Sequence, residues 1–407
     1  MSTSNKSAPV IIVGAGPTGL ATGIALRARG IKAIILESDS RDRNRSGTRA
    51  IYIHGSTLHR LEQIHPGVGQ KIAQKGLVWP TRRTLWRGNE IFSRTYSDPG
   101  GTGNLPHFTS LPQSTTESFL RESFNLQGGT IHWSSEVEHV EPQQDGVRVQ
   151  TVDGDVWRTE YLVGADGAGS TVRNGINADF QGEASENSFI VIDIEETPET
   201  PREVERVFHY SHPDVGGRNV LIIPFTGGWR IDIQCKQSDD PSNVENVDVA
   251  SEMVATILGE RYRSRISWIS RYTFKQVTAD SFVDAHQRIL LAGEAAHLFA
   301  PFGARGMNSG IADADEAASA ITVAITAETA SIAEAEIKRY GTRRKKAAEY
   351  NKYAAGKALE HLQSNRLTTK IKKTAAAKLS RYWEGAGEWL DDAPYGPRKN
   401  PDATQFY

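Results

Sequence analysis

The chain has 407 residues, with 47 lysines and arginines against 49 aspartates and glutamates, which gives a formal net charge of −2. This balance gives no reason to expect a nucleic-acid partner. The single cysteine, Cys235, excludes an internal disulfide and the paired-thiol centre of disulfide reductases. No run approaches about 18 apolar residues and the polar start lacks a signal-peptide core, so we expect a soluble, cytoplasmic protein with two domains and no membrane segment.

The stretch from 10 to 37 is the most informative part of the chain. A β-branched run, VIIV, precedes GAGPTG, an apolar pattern at helical spacing and a second apolar strand. This is the G-x-G-x-x-G fingerprint in its strand–turn–helix–strand context, and it predicts that a dinucleotide pyrophosphate rests on free N–H groups at the helix start. We expect Gly14 to permit the turn, Gly16 to leave room for the pyrophosphate, and Gly19 to let the helix pack on the sheet.

An acid at the end of the second strand indicates which dinucleotide fits. Glu37 is placed to accept hydrogen bonds from an adenosine ribose. A carboxylate suits a free 2′-hydroxyl and repels a 2′-phosphate, so FAD or NAD fits this stretch better than NADP. The stretch alone does not choose between FAD and NAD.

The polar loop after this unit is rich in arginine. We interpret Arg41, Arg43 and Arg45 as a solvated basic loop. Arg49 differs because apolar residues resume directly behind it, and we expect it to contact the cofactor as a planar fork.

The rest of the chain alternates between strand and helix patterns. Alternation predicts a three-stranded antiparallel meander over 130–163, with tight turns at Asp145-Gly146 and Asp153-Gly154, and a second all-β stretch over 188–235. Helices are expected at 55–64, 114–123, 247–258 and from 311 to about 361. The proline-containing tail, 383–407, is expected to pack as a coil.

Two further motifs follow the glycine-rich turn in a fixed order. They are VGADG at 163–167 and LAGEAAH at 291–297, the latter continued by Pro301 and by GARGMN at 303–308. Together with the first motif they resemble the FAD-dependent aromatic monooxygenases of the para-hydroxybenzoate hydroxylase family. The resemblance covers roughly 8–344, and DAPYGP at 392–397 is similar to the tail of some phenol hydroxylases.

The resemblance implies an α/β fold with a discontinuous Rossmann-like FAD-binding domain, a β-sheet substrate domain and a C-terminal helical region. The predicted boundaries are 1–77, 109–180 and 285–365 for the FAD-binding domain, 78–108 and 181–284 for the substrate domain, and 366–407 for the tail.

The resemblance also implies the cofactor-binding residues. The family's Asp-Gly motif matches Asp166, its glutamine beside the flavin matches Gln113, and its Gly-Asp motif has Glu294 here, with a stem one methylene longer. The full set of expected FAD contacts is Gly14, Gly16, Pro17, Thr18, Gly19, Glu37, Arg49, Gln113, Asp166, Glu294, Gly303, Gly306, Met307 and Asn308. The first turn after Gly303 can face the flavin edge that becomes anionic on reduction.

The implied activity is hydroxylation of a phenolic or similarly electron-rich ring through a flavin C4a-hydroperoxide, with NADPH or NADH as a transient reductant. The expected partners are a small aromatic substrate and O₂, in a chain that allows a homodimer; no metal site and no nucleic acid are expected. Pro301, Arg230 and Tyr272 are the residues expected nearest the substrate. The wider substrate-facing set on the second sheet is Tyr210, Ile222, Arg230, Asp232, Gln234, Tyr272 and Phe274, and His297 is expected to be structural.

Two other readings stay open at this point. A flavin oxidase or reductase without oxygen insertion would carry the same motifs, because oxygen chemistry has no sequence code of its own. A flavin-binding protein that has lost turnover is the second, and the glutamate at position 294 leaves that reading open. A flavin-dependent halogenase would normally carry W-x-W-x-I-P, and this sequence has none.

Overall fold

The structure is a computed structural model that describes residues 5–43, 46–97, 105–197, 199–236, 239, 246–363 and 366–397. Arg45 and the end of the tail lie outside the described residues.

The elements follow one another in chain order. The strands are β1 (Asn5–Ser7), β2 (Val10–Val13), β3 (Ala33–Leu36), β4 (Tyr52–His54), β5 (Thr81–Trp86), β6 (Asn89–Thr95), β7 (Phe108–Ser110), β8 (Thr130–His132), β9 (Val137–Gln143), β10 (Gly146–Thr151), β11 (Val156–Thr159), β12 (Tyr161–Gly164), β13 (Phe180–Glu195), β14 (Glu205–His212), β15 (Arg218–Phe225), β16 (Gly228–Gln234), β17 (Ile266–Ala279), β18 (Ile289–Leu291) and β19 (His297–Leu298). The helices are α1 (Pro17–Ala28), α2 (Gly55–Ile64), α3 (Val68–Lys75), α4 (Gln113–Leu126), α5 (Thr171–Gly175), α6 (Val247–Leu258), α7 (Arg305–Thr326), α8 (Ala330–Gln363), α9 (Leu367–Leu379) and α10 (Glu384–Asp392).

A five-stranded parallel sheet carries the glycine-rich turn. Its strand order is β18-β12-β2-β3-β8, and β2 is buried along its whole length. Such strands are continuous apolar runs because helices cover both faces of a parallel sheet. Helix α1 packs between α4 and α7 over one face. The α/β fold class predicted from the sequence is confirmed.

The predicted meander is only partly right. Strands β9, β10 and β11 form the antiparallel part, with turns at the two predicted Asp-Gly pairs, and β1 adds to β11 in parallel. The first segment, Thr130–His132, instead joins the parallel sheet beside β3. A three-residue strand carries too little pattern to reveal which sheet it enters.

An eight-stranded sheet of order β19-β17-β13-β16-β15-β14-β5-β6 forms the second layer. Ile231 and its neighbours on one face pack against Val254 of α6 in a closed apolar core. The opposite face turns towards the segment at Pro301–Phe302 and towards α8. This second face is the one that borders the candidate site.

The tail corrects the expectation of a coil. It forms α10, whose Asp391 is fully buried and pairs with Arg206 of β14 at 2.7 Å and with Arg82 of β5 at 3.0 Å. The prolines of the tail suggested a coil, and the local sequence does not show that ion pairs with distant residues stabilise a short helix there. The domain boundaries given above stay a prediction.

Candidate active site

The three sequence motifs meet at the carboxyl edge of the parallel sheet. A Cβ on Gly14 would lie 2.4 Å from the carbonyl oxygen of Ala165, and a Cβ on Gly293 would lie 2.5 Å from Oγ1 of Thr18. Both positions also have positive φ, so only glycine allows these close approaches without strain. The first motif therefore touches the second and the third directly, at the edge where open α/β sheets bind ligands.

The glycine-rich turn leaves open space where the pyrophosphate is expected. An added Cβ at Gly16 would meet nothing within 4 Å, whereas at Gly19 it would lie 1.9 Å from the carbonyl oxygen of Gly14. Helix α1 begins at Pro17, so its first N–H groups are free to face an anion. The two glycines thus have different duties: Gly16 keeps the ligand space open, and Gly19 keeps the turn folded. The side chain of Thr18 points inwards, which leaves its backbone as the group facing a ligand.

Glu37 lies beside this turn, as its position after β3 predicts. Its carboxylate is 3% exposed and accepts hydrogen bonds from the backbone N–H groups of Ala15 and Asp39. The contact with a ribose stays a prediction, but the acid is held at the loop that would bind the adenosine half.

Arg43 corrects the expectation of a solvated loop. Its guanidinium pairs with Glu37 at 3.1 Å and with Glu117 at 3.3 Å, donates to the carbonyl oxygen of Ala15, and is 9% exposed. Arg49, expected to bind the cofactor, has an exposed side chain and left-handed backbone with φ of 53°. The buried arginine at the nucleotide turn is therefore Arg43, which nothing in the local sequence separates from its neighbours.

Gln113 lies next to the backbone of the loop that holds Arg49. Its backbone N–H donates to the carbonyl oxygen of Thr48 at 2.9 Å, and its side-chain oxygen accepts from the N–H of Ala50 at 3.3 Å. Because α4 begins at Gln113, the glutamine joins a helix start to this loop. The structure thus places Gln113 beside the loop that carries Arg49, and the cofactor contact expected of each stays a prediction.

Asp166 caps the short helix α5. Its two oxygens accept from the hydroxyl of Ser170 at 2.5 Å and from the N–H of Val172 at 3.1 Å, and burial raises the pKa of its carboxyl group above the ordinary value. Arg173 follows in the same helix and donates to the carbonyl oxygen of Ala295 at 3.2 Å. The side chain of Arg173, just after the second motif, is thereby bonded to the backbone of the third motif.

The third motif is held by a buried charge cluster that sequence reasoning missed. Asp313 of α7 accepts hydrogen bonds from the N–H of Gly293 at 2.9 Å and from Nε2 of His297 at 2.7 Å, and it pairs with Arg344 of α8 at 2.5 Å. Burial works to raise the pKa of Asp313, but Arg344 and His297 together bring it below the ordinary value. His297 is 1% exposed and stacks on Phe299, as a structural histidine does. Glu294 itself is exposed, on a turn that this cluster fixes.

Helix α7 starts beside the third motif. Asn308 is buried, with its side chain donating to the carbonyl oxygens of Tyr52 and Ala304 and accepting from the N–H of His54. Its side chain is therefore structural, while the first-turn N–H groups remain free for a ligand by helix geometry. An added Cβ at Gly306 would meet nothing within 4 Å. Met307 is half-buried against the core.

A narrow cavity of about 20 Å³, room for about one water molecule, lies where the second sheet faces the segment after the third motif. Its lining is mostly apolar and aromatic, comprising Phe189, Val191, Phe208, Asn219, Leu221, Asp232, Phe274, Pro301 and Phe302. Ligand sites typically combine such walls with a few polar groups. Pro301 is in this lining, and the contact with the substrate expected of it stays a prediction.

Arg230 does not line the cavity, contrary to expectation. Its guanidinium pairs with the buried Asp193 at 2.9 Å and donates to the backbone oxygen of Arg49 and the hydroxyl of Thr48. Asp193 also accepts from the N–H of Thr48 at 2.8 Å. This pair joins the second sheet to the loop beside Gln113.

The remaining substrate-facing expectations divide between the faces of the sheet. Phe274 lines the cavity, and Tyr272, stacked on it, is 43% exposed and outside the lining. Ile222 is buried in the core on the other face. Tyr210 is fully buried, and its hydroxyl bonds to the backbone oxygen of Leu390 at 2.7 Å.

One carboxylate in the cavity has no partner. Asp232 Oδ1 is hidden from solvent and has no hydrogen-bond partner among the described residues. Burial raises the pKa of Asp232 to about 6; the charge of Arg230 opposes the rise and that of Asp193 adds to it.

The arrangement fits a flavin dinucleotide better than a metal. The turn at Gly16 offers an open cradle and a helix start for the pyrophosphate, and the start of α7 offers a second set of N–H groups near Pro301. In the described part of the chain, no group of three or more His, Cys, Asp or Glu side chains is placed to hold a metal ion. Nor does any helix there combine the length and apolar character needed to cross a bilayer.

Comparison with known proteins agrees with this geometry. A family model described as "FAD binding domain" matches residues 7–352. The chain is 26% identical over 324 residues to a rifampicin monooxygenase of Streptomyces venezuelae and 28% identical over 327 residues to a probable NADH-specific resorcinol 4-hydroxylase of Rhodococcus jostii. These matches cover 75% and 76% of this chain, which spans 62% and 58% of the length of those relatives.

Among solved structures, p-nitrophenol 4-monooxygenase from Pseudomonas putida DLL-E4 is similar in fold. The TM-score is 0.78 at 21% sequence identity, and the match covers 97% of this chain and 100% of that chain.

The contrast between Gly16 and Gly19 gives a first prediction. Gly16→Val should lose bound FAD but fold and melt like the FAD-free parent protein, because its side chain enters the ligand space. Gly19→Ala should lower the melting temperature, since its Cβ collides with backbone. Flavin absorbance and thermal melts measure both. Full flavin content in Gly16→Val would contradict the assignment of this turn.

The buried cluster gives a second prediction. Asp313→Ala should cost about 3–5 kcal/mol in the free energy of unfolding, because it leaves the buried Arg344 with Glu316 alone and removes the acceptor of the Gly293 N–H and of His297. The stabilisation should disappear from the parent as pH falls through the acid range, since the native pKa of Asp313 is depressed. Urea unfolding at several pH values measures this.

A matched control lies two residues away on the same helix. Asp315 forms only partly exposed pairs with Arg29 and Arg60, so Asp315→Ala should cost no more than about 1 kcal/mol. Equal effects of the two substitutions would contradict a special role for Asp313.

Proposed function

We propose that this chain, which belongs to the FAD-binding domain family, is a monooxygenase that consumes NAD(P)H and hydroxylates a phenolic or similarly electron-rich aromatic ring. The observation that carries the proposal is the apolar cavity between the second sheet and Pro301, directly after the motif that would hold the flavin. Aromatic walls and one carboxylate suit a flat ring with a polar substituent.

The residues of this chain would divide the work of binding. The N–H groups at the start of α1 would hold the pyrophosphate, with Gly16 leaving room for it and Glu37 beside the ribose. The start of α7 would face the negative edge of the ring system with N–H groups. When bound, FAD supplies the transfer of reducing equivalents and the activation of O₂.

The protein itself would contribute by positioning the substrate ring and by excluding water from the cavity. Phe189, Phe208 and Phe274 would hold the substrate ring away from water, and Pro301 would form the wall towards the cofactor. The pair of Asp193 and Arg230 would keep the sheet at a fixed place relative to the loop at Thr48. Ring and cofactor would then be held in reacting geometry.

Further parts of the proposal concern the partners. The nicotinamide would bind transiently, because the sequence has no second complete glycine motif beside the one assigned to FAD. A small aromatic compound and O₂ would be the other reactants. A homodimer and a cytoplasmic location stay predictions.

A third prediction concerns coupling of substrate to reduction. Phenolic compounds should accelerate flavin reduction by NADH or NADPH at least tenfold, which needs only about 1.4 kcal/mol of bias on the barrier. One atom of ¹⁸O₂ should then appear in the ring. Stopped-flow absorbance and product mass measure these effects, with benzene as a control that lacks the hydroxyl. If no aromatic changes the rate and none gains an atom of oxygen, a flavin oxidoreductase without oxygen insertion becomes the better account.

A further inference from the structure

The centre of the second sheet presents one carboxylate oxygen, Oδ1 of Asp232, that has no hydrogen-bond partner in the described part of the chain. Asp232 pairs in register with Val191 of β13 and Leu221 of β15, and Leu221 pairs with Phe208 of β14. All three neighbours line the same cavity. Asp232 is thus a single charged side chain within an apolar row that crosses four strands.

The other polar lining residue is already satisfied. Asn219 donates to Gln234 at 2.6 Å and accepts from the backbone N–H of Ser211 at 3.1 Å. In contrast, Oδ1 of Asp232 is buried without a partner in the described part of the chain. Leaving a carboxylate oxygen buried and unbonded is costly unless a ligand completes it.

Charges around Asp232 come from two elements. Arg230 lies two residues away on the same face of β16, and Asp193 lies on β13; these two charges already pair with each other. The other lining neighbours are Leu221 on β15, Phe274 on β17, and Pro301 and Phe302 after the third motif, none of which titrates.

We propose that Asp232 binds the ring hydroxyl of the substrate and acts as the general base for its proton, so that the enzyme selects neutral hydroxylated rings over ring carboxylates. This inference rests on the proposed function, because the hydroxyl belongs to the aromatic compound assigned above. Asp232 accepts the hydroxyl hydrogen bond at Oδ1. Its burial and nearly neutral pKa of about 6 leave it ionised and able to accept a proton at neutral pH.

The proton balance of this step is simple. The O–H bond of the substrate breaks, an O–H bond forms on Asp232, and the electron pair stays on the substrate oxygen as a phenolate, whose ring is richer in electrons. No electron passes between the partners, and the proton returns to the product oxygen or to solvent.

The same carboxylate determines what is rejected. A carboxylate carried by the substrate would lie beside the carboxylate of Asp232 in an apolar cavity. The residues that line this cavity include no cation that could neutralise it. Like charges at close range in such a place repel strongly. Neutral phenols and aminophenols fit, whereas hydroxybenzoates do not.

The experiment compares the holoenzyme with Asp232→Asn, using phenol, resorcinol and 4-hydroxybenzoate as probes. Asparagine keeps the shape and loses the charge. We expect the affinity for phenol and resorcinol, measured from the change in flavin absorbance on binding, to fall tenfold to a hundredfold. Affinity for 4-hydroxybenzoate should rise in the same variant. In the parent, kcat/KM should fall below about pH 6 as Asp232 becomes protonated, and this fall should be absent from Asp232→Asn.

Stability provides a readout that does not depend on activity. Removing a half-buried charge whose Oδ1 atom has no partner among the described residues should leave the melting temperature unchanged or higher, and the gain should grow as pH rises towards 6, where the parent's carboxylate ionises. Asp214→Asn, a loss of the same charge from an exposed turn, is the control and should change none of these quantities.

The outcomes separate this inference from the proposed function. If the parent hydroxylates phenols but Asp232→Asn keeps the same preference between phenol and 4-hydroxybenzoate, the role of Asp232 is overturned and the monooxygenase stands. A marked fall in melting temperature with Asp232→Asn would likewise overturn it, because Asp232 would then be structural. If the parent hydroxylates no ring, the proposed function fails, while the binding measurements still test Asp232.

Discussion

The buried ion pair between Asp193 and Arg230 is the interaction on which the site depends. It joins the centre of the second sheet to the loop at Thr48 and Arg49, which in turn lies against Gln113. Burying an ion pair costs desolvation free energy, which further hydrogen bonds must offset, and the backbone of the loop supplies such bonds. The sheet is therefore tied to the loop at Thr48 and Arg49 through its centre.

The charged residues that hold the motifs in place differ from the carboxylate in the cavity in whether they have partners. Charges that build the site are satisfied: Asp313 by Arg344 and His297, and Glu37 by Arg43. The carboxylate of Asp232 is left without a partner in a wall of phenylalanines. Asp232 Oδ1 is one of several buried polar atoms without a partner among the described residues, and it is the one in the cavity lining, where a ligand can complete it.

Sequence motifs and hydrophobic periodicity predicted many of the helices, strands and turns of this fold. The turn at Gly14–Gly19 and its neighbouring strands follow from residue type and spacing, and α2 and α6 begin and end at the predicted residues. What failed depends on distant partners: Arg43 looks like any loop arginine until Glu117 is placed beside it, and α10 looks like coil until Arg206 reaches Asp391. Alternation placed Arg230 and Asp232 on one face, but it could not say which of them was already paired.

The most direct test of this account is a crystal structure of the protein with FAD and phenol. We predict the pyrophosphate at the start of α1, the reacting edge of the flavin next to Pro301, and the phenol ring in the cavity with its oxygen within about 3.2 Å of the Asp232 carboxylate. A phenol bound elsewhere, or a flavin that does not reach Pro301, would contradict the assignment of the cavity as the place of reaction.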